Sequence, residues 1–174
     1  MWNDGSGGTI SCGPPGTGDY RVVMRGVGGF IFLSATTNNV GVQVLPGANA
    51  WSSNSDRRYK DHVRAVDGRE VLERLASLPI ATWNWQSQPA AIRHMGPMAQ
   101  DFHAAFGLGE SETMISTVDS DGVALAAIQG LNAKVNAKDA EIAALRERLA
   151  KVEANHIRDI ADLRVAVELI PALG

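Results

Sequence analysis

The chain has 174 residues, enough for one modest core or two small ones. A formal net charge of −3 gives no reason to expect a nucleic-acid partner, which requires a basic face. The one cysteine, Cys12, excludes an intramolecular disulfide and a cysteine-based metal cluster, and no run of about 18 apolar residues marks a membrane span.

The opening M-W-N-D-G-S-G-G lacks the basic start and apolar stretch of a secretory signal. A Gly-rich opening is unusual for a natural N-terminus. The chain is therefore expected to be the C-terminal piece of a longer protein, with Met1 an added start.

Residues 1–54 hold only four charged side chains, Asp4, Asp19, Arg21 and Arg25. Alternating patterns predict strands at Tyr20–Met24, Phe30–Leu33 and Val40–Leu45. Gly26, Gly28 and Gly29 mark one turn and Thr36–Asn39 the next. The segment is too short and too poor in large apolar residues to stand alone. It is expected to be part of a shared, intertwined β-structure, with a flexible linker as the competing reading.

Residues 55–122 read as a small α+β domain. A helix is predicted over Arg69–Leu78, with Asp67-Gly68 turning into it and Pro79 ending it. A strand is predicted over Ala81–Gln86, with Trp83 and Trp85 on one face and packed in a core rather than forming a sugar-stacking platform. A second helix is predicted over Met98–Phe106, with Pro97 in its first turn and Gly107 as its C-terminal cap. Ile115–Val118 reads as a strand, closed by a turn at Asp119–Gly122. Asp119, Asp121 and Gly122 lack the Glu that a calcium loop needs, and no His and acidic residues have convincing metal spacing. His62 and His103 read as surface positions. No cofactor is expected.

Residues 123–174 read as a long C-terminal helix of coiled-coil type. With Ile128 at position a, the a positions are Ile128, Val135, Ile142 and Leu149. The d positions are Leu131, Lys138, Leu145 and Val152, so only Lys138 is polar among the eight. In a parallel coiled coil each g residue meets the e residue five positions on in the neighbouring chain. Those pairs are Lys134 with Asp139, Glu141 with Arg146 and Arg148 with Glu153, all of opposite sign. This pattern predicts a parallel homo-oligomer. The register then shifts: continuing it puts His156 at a, whereas Ile157, Ile160 and Val167 mark a displaced seam. Pro171 is expected to stop the helix. Ile and Val at a with Leu at d lean towards two strands, so these residues alone do not call for three.

The chemistry lies at the junction of the first two regions, in S-D-R-R-Y-K, Ser55–Lys60. Serine needs a base, and lysine can act as one where burial or a nearby cation lowers its pKa from about 10.4. Residues five apart share no face of a helix or strand, so a turn or a neighbouring subunit must bring Lys60 to Ser55. The Ser55 hydroxyl lies next to the carbonyl of Asn54, and attack there cuts the Asn54–Ser55 bond. Asp56 and His94 are candidate supporting residues. Taken alone, S-x-x-x-x-K is a weak signal.

Three stretches give it weight. They are S-D-R-R-Y-K-D-H-V (Ser55–Val63), H-M-G-P-M-A-Q-D-F (His94–Phe102) and V-D-S-D-G-V-A-L-A-A-I-Q-G-L-N (Val118–Asn132). Residues 55–152 resemble the C-terminal intramolecular chaperone domain of endosialidase-type phage tail spikes and fibres, a self-cleaving serine peptidase family. Tyr59 departs from it, since an aliphatic residue is more usual there. The resemblance implies an intertwined homotrimer in which residues 1–54 are the end of a fibre stalk. It implies a chaperone that registers the upstream fibre chain and then releases itself by autoproteolysis, with Ser55 as nucleophile and Lys60 as base. It places the protein in a phage or prophage virion tail. A non-cleaving trimerisation module and a receptor- or glycan-binding fibre tip are the alternatives.

Overall fold

The structure, a computed structural model, describes residues 9–12, 22–36 and 40–169. It divides into two compact units, residues 1–64 and 65–174.

Up to Ser53 the described residues of the first unit lie in strands and the segments that connect them. Strand β1 (Thr9–Cys12) pairs antiparallel with β2 (Val22–Arg25). Strands β3 (Phe30–Leu33), β4 (Gly41–Val44) and β5 (Ser52–Ser53) form a second antiparallel sheet in that order. The strands expected at Phe30–Leu33 and Val40–Leu45 are present. That expected at Tyr20–Met24 is seen as β2, its first two residues lying outside the described ones. Most of the turn expected at Thr36–Asn39 also lies outside them. Between β2 and β3, Gly29 has φ +86°, and a Cβ there would meet the Val44 carbonyl oxygen.

The register pairs Phe30 with Val44 and Phe32 with Val42, so these four residues share one face. Trp51 packs edge-on against Phe32 with ring centroids 5.5 Å apart. Met24, Phe30, Phe32, Val44 and Trp51 line an open groove of about 440 Å³. At residues 24, 26–36 and 40–64 no side chain is buried. Small two- and three-stranded sheets with an open apolar face bury little to offset the entropy of ordering them.

The second unit has the core. Helix α1 (Gly68–Ser77) starts where the Asp67 carboxylate accepts from the backbone N–H groups of Arg69 (2.8 Å) and Glu70 (3.4 Å). Strand β6 (Ala81–Trp83) pairs antiparallel with β7 (His94–Gly96), which was not anticipated. β6 is shorter than the expected Ala81–Gln86 because Gln88 N–H closes a turn on the Trp85 carbonyl. Helix α2 (Ala99–Phe106) ends at Gly107, whose φ of +63° and bond to the His103 carbonyl form the expected cap. Pro97 falls one residue before the N-cap, Met98, rather than inside the first turn.

Helix α3 runs from Thr117 to Leu169, about 80 Å at 1.5 Å per residue. Its start corrects two expectations: Ile115–Val118 is not a strand, and Asp119–Gly122 is not a turn. The Ser116 carbonyl accepts from Asp119 and Ser120 N–H, opening the helix there. The reason is tertiary. Helical spacing brings Val123 and Ala127 into buried positions, and that gain outweighs the β-branched composition of the segment. The stop expected at Pro171 lies outside the described residues.

Leu78, Phe102 and Val123 form the buried core, with Val71, Leu75, Phe106 and Ile115 packed against it. α1 meets α3 at a contact that only glycine permits. A Cβ on Gly130 would collide with the Gly68 carbonyl, and one on Gly68 would stand 2.7 Å from the Ala126 carbonyl. Beyond this crossing the described side chains of α3 are all exposed. The seam residues Leu131, Val135, Ile142, Leu145, Leu149 and Val152 are open to solvent along the helix.

Candidate active site

The junction at Ser55 is built from the end of a sheet. β5 pairs with β4, and the Asn54 N–H extends this pairing by donating to the Gly41 carbonyl at 3.2 Å. The bond between Asn54 and Ser55 therefore sits where the sheet stops. A one-turn 3₁₀ helix, Arg57–Tyr59, follows at once. Asp56 caps it: its carboxylate accepts from Arg58 N–H at 2.9 Å and takes the Arg58 guanidinium as well, at 2.6 Å to Nη2. Tyr59 N–H bonds the Asp56 carbonyl, Lys60 N–H bonds the Arg57 carbonyl, and Lys60 leaves in extended conformation.

This single turn between two extended residues folds the lysine back over the serine. Lys60 Nζ donates to Ser55 Oγ at 2.5 Å. A turn was required to unite these residues, and the 3₁₀ turn is that turn. Two residues on, His62 has φ +54°, a left-handed conformation that redirects the chain.

The neighbours sort differently from the sequence expectation. Asp56, a candidate supporting residue, pairs with Arg58. The side-chain bonds to Arg58, then its backbone N–H, hold the Asp56 carboxyl below its usual value and raise the guanidinium above its own. Tyr59 has Arg58 over its ring at 5.8 Å. Ser55 and Lys60 are both exposed.

His94 lies in the second unit. Its Nε2 meets Gln88 Oε1 at 2.8 Å, and its ring lies 4.8 Å from Trp83. Trp83 is half-buried, and its indole N–H has no acceptor among the described residues. Trp85 is exposed and meets Trp83 edge-on at 77°, so the expected packing of both rings in a core is not met at Trp85, which lies beyond the end of β6. His62 is exposed, as expected, whereas His103 is half-buried, with Nδ1 3.0 Å from the Leu108 carbonyl oxygen. Among the described residues no group of His, Cys, Asp and Glu is placed to hold a metal ion. None of their helices is long and apolar enough to cross a membrane.

Residues 55–107 match the family model described as chaperone of endosialidase, a family of peptidases. This segment, somewhat under a third of the chain, is thus of the endosialidase chaperone type that its motifs suggested. The match begins at Ser55 itself and contains both Ser55–Val63 and His94–Phe102. The third stretch, Val118–Asn132, lies beyond it. The family supports a chaperone role and a domain of self-cleaving serine peptidase type. No curated protein and no solved structure gives a match.

Proposed function

We propose that the chain is a C-terminal assembly chaperone that aligns copies of an upstream fibre or spike chain and then frees itself by one cut at Asn54–Ser55. The observation that carries this is the Lys60–Ser55 hydrogen bond, formed at the residue where the family match begins. In the reaction, Ser55 Oγ attacks the Asn54 carbonyl carbon while Lys60, as the neutral amine, takes the hydroxyl proton. The C–N bond breaks as the proton passes to the leaving Ser55 nitrogen, and an ester replaces the amide. Water then hydrolyses the ester, leaving an Asn54 carboxylate and a free Ser55. Attack by Ser55 of a neighbouring copy gives the same products.

Assembly and cleavage are linked in this scheme. A lysine acts as base where desolvation favours its neutral form. Ser55 and Lys60 are exposed in the single chain, so packing of neighbouring copies over them supplies the burial. The copies associate through the exposed seam of α3, with its three oppositely charged g–e pairs, as a parallel homotrimer. The open face of Phe30, Phe32, Val42 and Val44 is covered by the same face of the other copies. A helical bundle has local contacts and forms fast, whereas an intertwined β-stalk is slow and aggregation-prone. A C-terminal bundle raises the effective concentration of the stalk strands. Removing it afterwards leaves a stalk held by slow unfolding. The setting is a phage or prophage virion tail.

Mass spectrometry of the expressed full chain tests the proposal. Fragments ending at Asn54 and beginning at Ser55 are expected from the wild type and absent from Ser55→Ala and Lys60→Ala. An intact wild-type chain that still assembles favours the second reading, a trimerisation module that never cuts. The exposure of Lys60 in the single chain is the observation on that side.

A further inference from the structure

We infer that Lys138 is a register-determining residue of α3, acting against assemblies slipped by two heptads. The inference rests on the parallel association proposed above. Lys138 is the polar d position in a seam whose neighbours on the same face, Val135 and Ile142, are apolar and exposed. Its ammonium turns aside to Glu141 and donates to Oε2 at 2.6 Å. Glu141 is a g residue, and its second oxygen is left for Arg146 of the adjacent copy. In register, the lysines form one polar layer, and each has a carboxylate on its own chain.

This pair does not explain its own presence as a stabiliser. Its side chains are 64% and 57% exposed, and such ion pairs contribute little. A leucine in the seam would bury a full apolar layer instead. What the lysine supplies is discrimination, since a single polar position in a seam specifies register at a cost in stability.

The flanking charges show which slips need rejecting. A shift of one heptad one way sets Lys134 against Arg146 and Glu141 against Glu153. The other way sets Glu141 against Asp139 and Arg148 against Arg146. Every charged pair is then repulsive, so the g and e residues already exclude single-heptad slips. A shift of two heptads restores attraction, setting Lys134 against Glu153 or Arg148 against Asp139. One attractive pair in place of three does not reject the slip as repulsion would, and the seam adds the opposition: each Lys138 then faces Val152 or Ala124 of another copy, and one polar layer becomes two mixed layers.

The test uses full chains carrying Cys12→Ser and one reporter each, Val135→Cys or Leu149→Cys, refolded together and oxidised. Positions 14 residues apart on a helix are about 21 Å apart, beyond the roughly 7 Å Cα limit of a disulfide, so a 135–149 cross-link reports a two-heptad slip. With Lys138 present, 135–135 and 149–149 cross-links are expected without 135–149. With Lys138→Leu, 135–149 is expected to appear and the melting temperature to stay level or rise. Lys138→Arg should restore the wild-type pattern. A Lys138→Leu pool that assembles without 135–149 cross-links overturns the inference and leaves the parallel assembly standing. If Lys138 chains give no like-with-like cross-links and sediment as single molecules, the assembly itself is lost.

Discussion

Asp56 does for the candidate site what Ser55 and Lys60 cannot do for themselves. Five residues apart, they meet only because the 3₁₀ turn between them is capped at its start. Asp56→Ala should therefore slow cleavage at Asn54–Ser55 while leaving both units folded. Asp56→Asn, which keeps a capping oxygen, should recover part of the rate, and the timed appearance of the Ser55 fragment measures both. The pH dependence has a definite sign. Arg58 holds the Asp56 carboxyl below its ordinary value of 3.8. A lowered carboxyl stabilises the fold above that ordinary value and loses its contribution as pH falls through the lowered one. NMR titration should place the Asp56 carboxyl's midpoint below its ordinary value, with the turn weakened only as pH falls through that midpoint. The pairing of residues 55 and 60 was legible as a need for a turn. The identity of that turn was not, since its three residues, Arg57–Tyr59, have no helical pattern to read. The pairing of Asp56 with Arg58 rather than Lys60 depends on distances that a sequence does not contain.

At the scale of elements, punctuation made structure legible. Asp67 and Pro79 bracket α1, and Gly107 closes α2, because each acts on its own neighbourhood. β7 was missed because H-M-G is only three residues long, and its strand geometry comes from pairing with β6 thirteen residues earlier. The start of α3 was missed because Ile115–Val118 has strand composition while its fate is set by the core that Phe102 and Leu78 offer to Val123. The Gly68–Gly130 crossing was equally invisible, since a glycine inside a helical pattern carries no mark of its partner. It makes a prediction of opposite signs within one helix. Gly130→Ala gains about 1 kcal/mol of helix propensity, but its Cβ meets backbone that has no side chain to move aside. Overpacking of this kind costs about 1–3 kcal/mol, and the melting temperature should fall. Gly122→Ala, in the same helix with nothing within 4 Å of its Cβ, should raise it. Thermal melts of the two variants decide the point.

For the whole molecule, the burial that is missing is as informative as the burial present. Residues 26–36 and 40–64 of the first unit have no buried side chain, and most of α3 has none. Both deficits have one remedy in the proposed assembly of copies. Leu145→Asp, at a d position far from the α1 crossing, should leave the core of Leu78, Phe102 and Val123 intact. It should cost the assembly about 2–5 kcal/mol per chain. Sedimentation is expected to show single chains, near-ultraviolet circular dichroism an unchanged second unit, and mass spectrometry no cut at Asn54. Cleavage at wild-type rate by a single chain would separate the peptidase from the assembly and refute their coupling.

Gly130 divides α3 into two lengths with different sources of order. Up to the glycine, the helix is held by its own polypeptide, whatever the dilution. After it, no described side chain is buried within its own chain, and in the proposed assembly that burial comes from other copies. In that assembly the helix would serve as a gauge of local abundance, firm at its root and setting along its length where enough sister chains have gathered.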